Sequence, residues 1–164
     1  MSHSAYIAFG SNLAEPELQV RSALQSLTML AIDSSHISCS SLYASKALGP
    51  GKQPEYINGV CSIETTLDAY QLLEALQTIE LDQGRERSVK NAARTLDLDI
   101  LLFDDIVNND PLLTIPHPRM FERNFVIFPL LEIAPKLILP TGQSILFFAQ
   151  QLNWQDLKKL NIVL

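Results

Sequence analysis

Apolar residues recur at every second position, then at every third or fourth, then at every second again, and the order of these switches over the first 103 residues leaves few folds open. Residues 5–10 (AYIAFG) form a short apolar run stopped by Gly10, Ser11 and Asn12, which predicts a first strand and turn. Pro16, flanked by Glu15 and Glu17, marks a helix start, and Val20, Ala23, Leu24, Leu27 and Ala31 follow as one apolar stripe. Residues 36–44 and 56–65 are rich in Ile, Val, Tyr, Ser and Thr and read as two strands, separated by a Gly/Pro loop over 45–55. Asp68, with Gln71 three residues on, has the pattern of a capping box, and Leu72, Leu73, Leu76 and Ile79 continue it as a second helix. A polar, basic stretch over 82–94 then leads into 95–103 (TLDLDILLF), a strand by its alternation.

The succession is β-α-β-β-α-β, which predicts an α+β fold of the ferredoxin-like kind, an antiparallel sheet with two helices on one face. Residues 104–164 hold Pro-rich turns, a helix near 129–134, a short strand at 137–139 and a helix from about Ser144, expected as a C-terminal elaboration on the same core. One domain spanning 1–164 is expected. A chain of this length buries about 70% of the surface its unfolded form exposes, and 47% hydrophobic residues supply a core without a disulfide or metal staple. The longest apolar run, 125–131, has seven residues, against about 20 for a membrane span. No basic segment precedes an apolar block at the N-terminus, so no signal peptide is expected. Cys39 and Cys61 lack metal-ligand spacing and read as free thiols. The net charge of −6 argues against a general nucleic-acid binder. These features predict a cytoplasmic monomer that acts on small molecules, with neither nucleic acid nor membrane as partner.

Chemistry concentrates in Leu96-Asp97-Leu98-Asp99-Ile100. Along a strand Leu96, Leu98, Ile100 and Leu102 share the core face, while Asp97 and Asp99 share the other with Cα atoms about 6.6 Å apart. Two carboxylates so close favour a cation between them, and a hard divalent ion such as Mg²⁺ brings phosphate oxygens with it. A solvated polar strand face would carry the same pair. Immediately upstream, Arg85, Arg87, Lys90 and Arg94 place four of the chain's twelve basic residues within ten positions. Carboxylates beside a basic loop suit a polyphosphate, with metal on some oxygens and guanidiniums on others; charge neutralisation of Glu80, Asp82 and Glu86 accounts for part of the cluster.

The segment from Lys90 to Leu101 (KNAARTLDLDIL) resembles the signature of the 6-hydroxymethyl-7,8-dihydropterin pyrophosphokinase family of folate biosynthesis. So do Tyr6 to Asn12 (YIAFGSN), Leu48-Gly49-Pro50, Gln53 to Asn58 (QPEYIN), Ile79-Glu80-Leu81 with Gly84-Arg85, Ile115-Pro116-His117 and Glu132-Ile133-Ala134-Pro135, in the family's order along nearly the whole chain. The resemblance implies the same ferredoxin-like fold and a pyrophosphoryl transfer, in which the pterin hydroxymethyl oxygen attacks the β-phosphorus of ATP and AMP leaves. It implies that Asp97 and Asp99 hold two Mg²⁺ ions and that Arg85 and Arg94, with Arg87 nearby, stabilise charge on the transferred group and on AMP. Gln77, Glu80, Ile100, His117 and Arg123 match ATP-side positions. Ser45, Leu48, Tyr56, Asn58 and Phe125 match the pterin pocket, where two aromatic faces would hold a flat ring and an amide would pair with its edge.

The sequence departs from the family in Asn91-Ala92-Ala93, where a Trp-Gly-Pro often precedes the arginine, in Pro118 after the histidine, and in Lys46 where Pro is frequent. The single tryptophan, Trp154, is expected outside the site. Two other readings remain at this point: an Mg²⁺-dependent phosphoryl or nucleotidyl transferase with another small acceptor, and a non-catalytic nucleotide-binding module.

Overall fold

The computed structural model describes residues 1–12, 15–46, 55–83 and 96–162. The predicted site residues Leu48, Arg85, Arg87 and Arg94, together with Lys90, lie outside them. Strand β1 (His3–Ser11) occupies the middle of the sheet, antiparallel to β4 (Tyr56–Thr65) on one side and to β5 (Asp97–Phe103) on the other. Beyond β4 come β2 (Ile37–Cys39) and β3 (Tyr43–Ser45), and β8 (Leu157–Lys159) extends the sheet from β3, giving the order β5-β1-β4-β3-β8 with β2 also on β4. A hairpin of β6 (Asn108–Asp110) and β7 (Leu113–Ile115) stands apart.

Both predicted helices form on one face. Helix α1 (Pro16–Thr28) starts with Pro16 in its first turn, buries Val20, Ala23 and Leu27, and ends before Ala31. Helix α2 (Ala69–Asp82) carries the full capping box: Asp68 Oδ1 accepts from Gln71 N at 2.8 Å, and Gln71 Oε1 accepts from Asp68 N at 2.9 Å. These helices cover Ala5, Ile7 and Phe9 of β1 and Leu98 and Ile100 of β5. Asp68→Ala is expected to lower stability by about 1 kcal/mol, a drop of roughly 3 °C in unfolding midpoint for a chain of this size, measurable by thermal unfolding.

The opposite face has its own layer. Helix α3 (Asn124–Ile133), the short α4 (Ile145–Ala149) and a 3₁₀ turn at Met120–Glu122 pack on Val60, Tyr43, Leu101 and Leu102. Helix α3 begins five residues before the expected 129 and runs through Pro129. Proline removes one intrahelical bond, but Val126, Ile127, Phe128 and Leu130 are all buried, and that burial, about 1.5–3 kcal/mol per large apolar side chain, outweighs the loss. The strand expected at 137–139 is a single bridge between Ile138 and Ser144, and Ser144 then caps α4 by accepting from Phe147 N at 3.1 Å.

Two irregularities change which way side chains face. The predicted strand over 36–44 is two strands: Cys39 pairs with Cys61 but Tyr43 with Asn58, so four steps on one strand span three on the other. Ser40 sits at this bulge and its hydroxyl accepts from Val60 N at 3.0 Å. In β5, Ile100 pairs with Ile7 and Leu102 with Tyr6, leaving Leu101 as an extra residue. Leu102 therefore does not share the face of Leu96, Leu98 and Ile100, as alternation predicts. It packs in the α3 layer, and Phe103 takes its place under α1 and α2.

Candidate active site

Register places Asp97 opposite Gly10, Gly10 opposite Asn58, and Asn58 opposite Tyr43. Directly opposed residues point to the same face, so the row crosses four strands on the α3 side of the sheet. Asp99 follows one row along, opposite Ala8. Strands lie about 4.8 Å apart, which sets the Asp97 and Asn58 backbones roughly 10 Å from each other. Asp97 and Asp99 are both half-buried, as their shared face predicts.

The bulge at Ser40 is what brings β3 into the site. Without the extra residue Tyr43 and Ser45 would face α1 and α2; with it they face the side of Asn58. Asn58 Nδ2 donates to Ser45 Oγ at 2.5 Å, and both residues are buried. This bond fixes the amide's orientation and leaves its carbonyl side toward Gly10. A Cβ on Gly10 would stand 2.6 Å from Asn58 Oδ1, so the amide needs the missing side chain. Tyr56 sits on the same face, opposite Ser45. Phe125 is in the first turn of α3, which packs over β4, and the Arg123 guanidinium lies 5.6 Å from its ring centroid. An open groove of about 560 Å³ runs from Arg119, Arg123 and Phe125 to the chain over 151–156.

Among the described residues strand β5 is an edge of the sheet, and two groups close parts of it. The carboxylate of Glu80, 3% exposed at the end of α2, accepts from Leu98 N at 2.9 Å. His117 N donates to the Leu101 carbonyl at 2.9 Å, after a cis Ile115–Pro116 bond. Ile100 lies between these two points. Its side chain is in the core under α2, so what it presents outward is backbone. His117 Nδ1 accepts from Arg119 N at 3.2 Å. Burial holds the His117 imidazole below its usual pKa; Asp99 pulls it up, while Arg123 and Arg119 push it down. His117 is thus the electrostatic link between the carboxylate strand and the start of α3.

Of the predicted residues described, Asp97, Asp99, Ser45, Tyr56 and Asn58 share one face of the sheet. His117 interacts electrostatically with Asp99 and Arg123, and the Arg123 guanidinium lies over the Phe125 ring. Gln77 and Glu80 lie on α2, on the other side of the sheet, and Glu80 reaches the site only around the β5 edge. Among the described residues no group of three or more His, Cys, Asp or Glu side chains could hold a metal. Two neighbouring carboxylates fit Mg²⁺ nonetheless, because that ion keeps several waters and is held by one or two carboxylates plus substrate phosphates. Also among the described residues, no helix is long and apolar enough to cross a membrane.

Two supports, Gly10 and Glu132, have roles that their motifs do not signal. Gly10 makes room for the Asn58 amide, and its place between an apolar run and Ser-Asn suggests only a turn. Glu132 ties α3 to β3, although its motif signals no partner. Trp154, expected outside the site, stacks on Phe128 at 4.5 Å and on Tyr43 at 6.0 Å, neither of them a predicted site residue.

Residues 6–135 match the family model for 7,8-dihydro-6-hydroxymethylpterin-pyrophosphokinase (HPPK). The chain is 46% identical over 158 residues to the 2-amino-4-hydroxy-6-hydroxymethyldihydropteridine pyrophosphokinase of Haemophilus influenzae, covering 96% of this chain and 98% of that protein. Identity to the enzyme of the same name from Pseudomonas aeruginosa is 46% over 145 residues, with 88% and 89% covered, and to that from Bacillus subtilis 40% over 138 residues, with 84% and 81% covered. Among solved structures, HPPK-DHPS in complex with substrates superposes with a TM-score of 0.70 at 13% identity over 98% of this chain. Plasmodium falciparum HPPK-DHPS with pterin and p-hydroxybenzoate does so with 0.68 at 13% over 92%. At that identity the likeness is one of fold, a mixed α/β arrangement with an antiparallel sheet; this chain spans 47% and 43% of those two chains.

Proposed function

This chain belongs to the 7,8-dihydro-6-hydroxymethylpterin-pyrophosphokinase family, and from that membership we propose that it transfers the terminal diphosphate of ATP to the hydroxymethyl group of 6-hydroxymethyl-7,8-dihydropterin, releasing AMP. The observation that carries this reading is the row Asp97–Gly10–Asn58 with Ser45 beside it. A carboxylate pair suited to metal-bound phosphate and an oriented amide suited to a heterocycle edge stand on one face, two strands apart. That spacing lets one face hold a triphosphate and a flat ring with the hydroxymethyl group between them.

Asp97 and Asp99 would hold two Mg²⁺ ions, which would neutralise the triphosphate and polarise its oxygens. Ser45, Asn58 and Leu48 line the pterin edge, and Tyr56 and Phe125 take its faces. Half-burial of Tyr56 and Phe125 supports this, since a stacking ring must keep one face open. Arg85, Arg87 and Arg94 clamp the phosphates. Arg123 and His117 stand on the phosphate side, which the charge interactions of His117 with Asp99 and with Arg123 support. Backbone of Ile100 at the β5 edge, with Gln77 and Glu80 beyond it, receives the nucleotide; Glu80 contributes by holding Leu98 and thereby the register of Asp97 and Asp99.

The same reading makes 1–164 one domain of ferredoxin-like type. Support comes from the order β5-β1-β4 followed by β2 and β3, with both crossover helices on one face, and from β8, which joins the C-terminal segment to β3. The test is incubation with ATP, Mg²⁺ and 6-hydroxymethyl-7,8-dihydropterin followed by nucleotide analysis. AMP in step with pterin consumption is expected; ADP instead would mean simple phosphoryl transfer, and no nucleotide turnover would mean a binding module.

A further inference from the structure

We propose that Glu132 is a positioning residue for the pterin wall: by gripping Ser41 and Tyr43 it holds β3, and with it Ser45, against the helix that carries Phe125. The inference rests on the reading of Ser45, Asn58 and Phe125 as pterin contacts. Glu132 lies near the C-terminal end of α3, and its carboxylate takes three bonds from the short stretch 41–43 that leads into β3: Oε2 from Ser41 N at 2.9 Å and from Ser41 Oγ at 2.8 Å, and Oε1 from the Tyr43 hydroxyl. Ser41 follows the bulge residue Ser40, and its backbone N–H is satisfied by α3. The grip therefore acts where the sheet's own ladder is interrupted.

From there the connection to the site is short. Tyr43 is 2% exposed and stands opposite Asn58; Ser45, two residues on and on the same face, accepts the Asn58 amide. Trp154 stacks on both Tyr43 and Phe128, and Phe128 is one turn from Phe125 along α3. Desolvation works against the ionised Glu132, but the Tyr43 hydroxyl, both Ser41 donors and the nearby Lys159 outweigh it and keep the carboxyl below its usual range. A carboxylate holds these donors more strongly than a neutral amide does.

The test is steady-state kinetics with each substrate varied separately. Glu132→Gln is expected to raise the pterin KM about fivefold and to leave kcat within about twofold and the ATP KM unchanged. Tyr43→Phe, which removes one hydroxyl and no charge, should shift the pterin KM in the same direction by a smaller factor and decides the matter if Glu132→Gln does not fold. In a Ser45→Ala background Glu132→Gln should add little, because its effect passes through Ser45. A folded Glu132→Gln enzyme with unchanged pterin KM, with equal rises in both KM values, or with a full additional rise over Ser45→Ala overturns the inference. If Ser45→Ala and Asn58→Ala themselves leave the pterin KM unchanged, the pterin reading of this wall fails and takes the inference with it, a pattern distinct from failure at Glu132 alone.

Discussion

Asp97→Ala and Asp99→Ala are each expected to lower kcat by about a thousandfold while leaving the fold intact. The size follows from the work assigned to the pair: stabilising transition-state charge through a metal is worth several kcal/mol, and each 1.4 kcal/mol is a factor of about ten in rate. The fold should survive because Leu96, Leu98 and Ile100, which anchor β5 in the core, point the other way. A half-buried carboxylate on the far face costs roughly 1 kcal/mol or less to remove. Turnover at saturating Mg²⁺ and an unfolding curve of the same protein make the check. Normal turnover from either variant would reject the metal assignment, and a lost fold would move the two residues from chemistry to structure.

A second large effect is expected from one methyl group at the sheet's centre. Gly59 pairs with Phe9, and a Cβ there would stand 2.4 Å from Phe9 Cζ, 2.8 Å from Phe9 Cε2 and 3.1 Å from Ser40 Oγ. Phe9 is 2% exposed and packed among α1 and α2, so its ring cannot swing aside without disturbing that layer. Gly59→Ala should cost about 3 kcal/mol, the upper part of the range for overpacking a tight core, and lower the unfolding midpoint by roughly 10 °C. Because Ser40 Oγ also carries the bulge bond to Val60, the pterin KM should rise with the loss of stability. A change of under about 0.5 kcal/mol in denaturant unfolding would show that Phe9 has room the packing does not reveal.

Much of the first half of the chain is legible because its local signals agree with one another. Strand β4 occupies the predicted 56–65, Pro16 opens α1, and the capping box at Asp68 forms as its spacing requires. The carboxylate pair is legible for the same reason: Leu-Asp-Leu-Asp alternation over a short regular strand has one outcome. The second half is not, because its elements depend on packing. Helix α3 forms through a proline since the layer beneath it is apolar throughout, and β8 is a strand only because β3 offers it an edge.

The sequence by itself determined the succession of strands and helices as far as β5, the two helices on one face, and the charged and aromatic groups proposed for the site. Tertiary structure decided which of them meet. A strand has a side-chain period of two, so a single extra residue turns everything after it to the other face. The bulge at Ser40 does this to Tyr43 and Ser45 and delivers them to Asn58, and the extra residue Leu101 does it to Leu102. Neither is visible in a pattern of apolar and polar letters, because an inserted residue costs no change of composition and is detected only against the strand it pairs with. The same holds for Glu132, whose three donors lie about ninety residues away along the chain and beside it in the fold.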